Sequence, residues 1–114
     1  YDEAIKDLEQ LRSANEQHTL PVKEFHTRLT NIFKNYYGRS ANREMKSKTT
    51  NEILTQLKTH ELRAETQAQM SEALRTGDAV KYAKYHSTYT ENEAAINYLK
   101  ATVEELEKML TKKP

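Results

Sequence analysis

Ile96, Leu99, Val103, Leu106 and Leu110 follow one another at spacings of 3, 4, 3 and 4 residues. That spacing returns to one side of an α-helix at every turn, so it draws a single apolar stripe that must be covered by something else. The stripe lasts about two heptads, short of the three or four that a coiled coil sustains. We therefore read it as a bundle helix. Only two glycines and two prolines occur in 114 residues, too little punctuation for the hairpins of a sheet-rich fold. The covering surface is expected to be helical as well.

The other segments agree. Over residues 2–14, Ala4, Ile5, Leu8 and Leu11 lie at helical spacing, and Asp2 and Glu3 suit the positive end of that helix. Pro21 is expected in the first turn of a second helix, where its missing N–H costs nothing. Val22, Phe25, Leu29, Ile32, Phe33 and Tyr36 draw that helix's stripe, and Gly38 is expected to end it as a left-handed cap. Thr49 and Glu52 have the spacing of a capping box and open a short third helix that turns Ile53, Leu54 and Leu57 inward. A fourth helix is read between His60 and Arg75, with Leu62, Met70, Ala73 and Leu74 toward the core. Thr76-Gly77-Asp78 is expected to break it, and Asp78 to cap a short helix carrying Val80, Tyr82 and Ala83. A second capping box is read at Thr90 and Glu93, ahead of the final helix. The chain is thus predicted to be all-α, a compact bundle of five to six helices in one domain, with the second and last helices forming the main core.

Composition narrows the function. There is no cysteine, which excludes a disulfide scaffold and a thiolate metal site. Net charge is +1, without the basic footprint of most nucleic-acid binders. No apolar run approaches the roughly 20 residues that span a bilayer, and no signal-peptide pattern occurs. The chain begins at Tyr1 and not at Met, so we expect it to be a fragment of a longer protein.

No catalytic constellation stands out. His18, His26, His60 and His86 are scattered, with no pair at the spacing of metal ligands, so neither a metal nor a cofactor is expected. His26, beside Phe25, is read as a polar contact flanking the core. Nucleophile elbows, phosphate-cradling glycine loops and Cys–His arrangements are all missing from the sequence. Glu104, Glu105 and Glu107 are read as a solvated face opposite the leucine stripe. Two features remain as candidate partner-binding residues. One is a tyrosine cluster, Tyr82, Tyr85 and Tyr89, with Tyr98 nearby; tyrosine joins apolar bulk to a polar tip and suits helix borders and binding patches alike. The other is the polar, moderately basic loop expected over 39–48, with Arg39, Arg43, Lys46 and Lys48 against Glu44. These cations could instead contact nucleic-acid phosphates, with Tyr36 and Tyr37 to stack on bases.

One longer pattern is specific. Leu20-Pro21-Val22-Lys23-Glu24-Phe25 runs on to Leu29-Thr30, then come Thr49-Thr50-Asn51-Glu52-Ile53 and Asp78-Ala79-Val80-Lys81-Tyr82-Ala83-Lys84 ahead of Glu91-Asn92-Glu93. In order and spacing this resembles the cytosolic C-terminal domain of Bacteroidetes inner-membrane proteins related to BatD. Asn51 stands where that family more often has Asp, and Tyr82 where Phe is common. The resemblance implies a non-enzymatic domain on the cytoplasmic face of the inner membrane, anchored through a segment outside this chain. It also implies partners among MoxR-type AAA+ ATPases or von Willebrand factor A domain proteins.

Overall fold

A computed structural model describes residues 1–111. Five α-helices follow one another: α1 (Asp2–Glu16), α2 (Val22–Ala41), α3 (Thr50–Leu57), α4 (Ala64–Tyr82) and α5 (Tyr89–Thr111), with one 3-10 turn, Lys58–His60, after α3. Helices α1, α2, α4 and α5 form the bundle; α5 packs on the other three, and α3 leans on α4. The chain fills an envelope of 44 × 26 × 25 Å. Its core is one continuous apolar cluster of 20 buried residues, half of them from α2 and α5. From α2 come Phe25, Leu29, Phe33, Tyr36 and Tyr37, and from α5 Ala95, Ile96, Leu99, Val103 and Leu106. The predicted stripes are therefore the ones that meet.

The helix ends depart from expectation in an instructive way. Gly38 does not end α2. The helix runs three residues further, and Asn42 takes the left-handed conformation at φ 54°. Asn tolerates that region because its short side chain bonds locally. Gly38 is instead needed for a close approach: a Cβ there would lie 3.1 Å from the Arg43 carbonyl oxygen. Gly77 does not break α4, which is continuous across it, so the separate short helix after Asp78 does not exist. Gly77 lies buried against His26, with 3.5 Å between a hypothetical Cβ and the imidazole Nδ1. The chain turns at His18, Asn42, Glu61 and Lys84, all non-glycine residues with positive φ.

Pro21 stands just before the first turn of α2, as its N-cap. The α3 capping box forms as predicted: Glu52 N–H donates to Thr49 Oγ1 at 3.2 Å and Thr49 N–H to Glu52 Oε1 at 2.9 Å. The α5 box uses Thr88 and Glu91, two residues earlier than the pair expected, at 2.9 and 3.0 Å. Glu93 is engaged elsewhere, in an ion pair with Arg12 of α1. The acidic run on α5 is not one solvated face either. Glu107 accepts the Tyr36 hydroxyl at 2.9 Å, and Glu105 accepts from Thr66 and Arg63, fastening α5 to α2 and to the start of α4. Burial pushes the Glu105 carboxyl up, but the bonds from Thr66 and Arg63 outweigh it and hold it below the ordinary carboxylate value. Among the described residues, no helix is long and apolar enough to cross a membrane.

Candidate functional site

A cleft of about 640 Å³ opens between α2, the 42–49 segment, the start of α3 and the last turns of α4. Three of these walls supply lysine. Lys34 comes from α2, Lys46 and Lys48 from the segment after it, and Lys81 from α4, against a single lining carboxylate, Asp78. Lys34 Nζ donates to the Lys46 carbonyl at 3.3 Å, which ties the segment to α2. Burial lowers the Lys81 ammonium pKa; Asp78 acts against this and Lys34 adds to it by like-charge repulsion. Among the described residues none of the four lysines has a carboxylate within ion-pair distance. Ile53, Ala79 and Ala83 give the cleft an apolar part, and Tyr82 stands at its lip, 80% exposed.

Of the residues singled out in the sequence, the structure brings Tyr82, Lys46 and Lys48 together here and sends the others elsewhere. Arg39 pairs with Glu3 of α1 at 2.7 Å. Arg43 turns toward α3, where its Nε and Nη1 both lie 3.0 Å from the Gln56 amide, which can accept from them once turned to present its oxygen. Tyr85 donates its hydroxyl to Glu91, and Tyr89 stacks flat on His18 with ring centroids 3.7 Å apart. Tyr98, also noted, is half-buried against the core. Lys34 and Lys81 were not anticipated. Each is an ordinary lysine within its own helix, and only the tertiary fold puts them side by side.

A second polar constellation runs through the interior. His26 Nε2 lies 2.9 Å from Ser87 Oγ, Ser87 Oγ 2.6 Å from Asn92 Oδ1, Asn92 Nδ2 3.2 Å from Asn15 Oδ1, and Asn15 Nδ2 3.1 Å from the Tyr89 carbonyl. His26 is 1% exposed, so it is a core residue and not the flanking contact expected. A serine hydroxyl at this distance from an imidazole is also the geometry of an activated nucleophile. The proton order excludes that role for this pair. The Tyr89 carbonyl can only accept, so Asn15 turns its NH2 to it and its oxygen to Asn92. Asn92 therefore turns its NH2 to Asn15 and its oxygen to Ser87, and Ser87 spends its one proton on Asn92. His26 must carry its proton on Nε2 and donate it to Ser87, the reverse of a general base. Burial drives the His26 pKa down to about 4, so the ring is neutral near pH 7.

A smaller pair lies beside α3, where the Tyr37 hydroxyl and His60 Nε2 are 2.6 Å apart. Burial raises the first pKa and lowers the second. Among the described residues, no three of His, Asp and Glu gather where they could hold a metal ion. The fold and cleft define, among the described residues, an all-α domain of five helices with a lysine-lined recess. No family model, curated protein or solved structure matches the chain.

Proposed function

We propose that this domain is a non-enzymatic docking module that holds a protein partner on the face formed by the 42–49 segment, the start of α3 and the end of α4. The observation that carries this reading is the convergence of Lys34, Lys46, Lys48 and Lys81 beside the exposed Tyr82. Cations with no carboxylate in ion-pair distance among the described residues, beside Ala79 and Ala83 and with an exposed aromatic side chain at the rim, make a surface that another molecule completes. The resemblance to BatD-related proteins supplies the partner class: a MoxR-type ATPase or a von Willebrand factor A domain protein, met at the cytoplasmic face of the inner membrane. Nucleic acid is the weaker reading, because tracking a phosphate backbone needs a continuous basic groove. Arg39 and Arg43 of the 39–48 segment are occupied by Glu3 and Gln56 and do not line the cleft.

The test is direct binding of purified ATPase and purified von Willebrand factor A protein to the domain by biolayer interferometry. A photo-crosslinking residue is placed at Tyr82 or, as control, at Gln10 on α1. Saturable binding with crosslinks from position 82 alone is expected. Absence of binding by both partners, or equal crosslinking from the two positions, would overturn the proposal.

A further inference from the structure

The cleft's chemistry specifies its occupant more closely, on the docking reading above. Four lysines against one aspartate leave a formal surplus of three positive charges in one recess. Two carboxylates lie nearby, and both are already engaged: Glu44 accepts from the Ser47 backbone and hydroxyl, and Glu52 accepts from the Thr49 N–H. Each keeps its charge while it accepts those bonds, and both attract Lys48, so the surplus lies on the side of the recess formed by Lys34, Lys46 and Lys81, against Asp78. Lys34 and Lys81 stand close enough to repel each other, and an anion between like charges removes that repulsion.

The lining also discriminates between anions. A volume of about 640 Å³ lies within the range of pockets that take a small ligand, which is room for a few side chains of a partner. Ala79, Ala83 and the exposed Tyr82 offer contact to an apolar group. Among the described residues no arginine lines the cleft, so the four ammonium groups act as point charges that accept anionic oxygens in varied orientations, and it is the apolar contact beside them that favours a peptide segment over a bare anion. We infer that the cleft binds an acidic, extended segment of the partner protein. Its carboxylates are taken by Lys34, Lys46, Lys48 and Lys81, and one of its apolar side chains lies on Ala79 and Ala83 beside Tyr82.

The experiment measures fluorescence anisotropy with three labelled probes: a short glutamate-rich peptide containing one leucine, the same peptide with glutamine for glutamate, and oligothymidylate. Each is titrated with the intact domain, with the Lys46→Gln/Lys81→Gln variant, and with Lys23→Gln/Lys58→Gln, which changes net charge equally away from the cleft. Circular dichroism confirms that both variants fold. The glutamate peptide is expected to bind and the glutamine peptide not to bind. The cleft variant should weaken binding at least about tenfold and the control less than about twofold, with added salt weakening it further. Equal binding of the two peptides, equal losses in the two variants, or tighter binding of oligothymidylate would each overturn the inference. If a purified partner binds the cleft variant undiminished, docking stands and the acidic segment falls. If the peptide binds and neither partner does, the cleft's chemistry stands and the partner assignment falls.

Discussion

Acid should weaken this fold through His26, and the size of the effect can be worked out. In the unfolded chain the imidazole titrates at 6.5, and in the core at about 4. Between those values the unfolded state holds one more proton than the folded state, so stability falls as pH falls through this window. At about 1.4 kcal/mol for each pH step, the full loss is about 3 kcal/mol, of which about 2 kcal/mol is gone by pH 5. Above pH 6.5 the contribution is constant. Nε2 already donates to Ser87, so the second proton would have to enter at Nδ1, on the side of the ring that faces Gly77. Urea unfolding at pH 7 and pH 5 measures the difference, with His26→Gln as reference. The glutamine amide can still donate to Ser87 but does not titrate. Burial and Arg43 depress His60 as well, so it contributes in the same direction, but it is common to both proteins and cancels. The wild type should lose about 2 kcal/mol more than the variant over that interval. Equal losses, or an NMR titration of His26 with a midpoint near 6.5, would refute the reasoning.

Gly77→Ala should stabilise by about 0.5–1 kcal/mol in thermal or urea unfolding, because the residue is mid-helix and its new methyl meets the imidazole at ordinary contact distance. Gly38→Ala should bring no gain, or a loss of up to about 1 kcal/mol in the same assay, because its methyl crowds the Arg43 carbonyl at 3.1 Å. Glu61→Gly should raise the unfolding midpoint, by at most about 1 kcal/mol in stability, since it relieves a left-handed non-glycine residue at φ 54°. Tyr36→Phe should cost about 1–2 kcal/mol by urea unfolding, because the Glu107 carboxylate and the Val103 carbonyl lose their shared donor.

The residues differ in how much of this they disclosed. The α5 stripe and the Thr49–Glu52 box were legible because both are local and periodic. Helix α4 was misread because a glycine beside threonine and aspartate looks like a stop, whereas here Gly77 lies inside a continuous helix, buried against an imidazole from another helix. Two α5 capping boxes fit the sequence, at Thr88–Glu91 and Thr90–Glu93, and the choice falls on the first, with Glu93 engaged by Arg12 across the bundle. The cleft was half visible: Lys46, Lys48 and Tyr82 stood out, but Lys34 and Lys81 join them only through tertiary packing. The interior polar chain did leave a signal. Asn15 extends the Ala4, Leu8, Leu11 series and Asn92 precedes Ile96 and Leu99, so each amide lies on an apolar stripe. A polar residue in that position is either misplaced or partnered, and these are partnered.

That chain of amides also answers a question the leucines leave open. A stripe repeating at 3 and 4 residues looks nearly the same after α5 slides by one turn, with Ile96 replaced by Leu99 or Leu99 by Val103. Oil alone would accept several such registers at similar energy. Only one of them places Asn92 between Ser87 and Asn15, and any other strands His26 and both amides without partners in the core. Buried polar groups left unpaired cost about 1–3 kcal/mol each, so the least hydrophobic residues of the interior act as the index marks that align the helices.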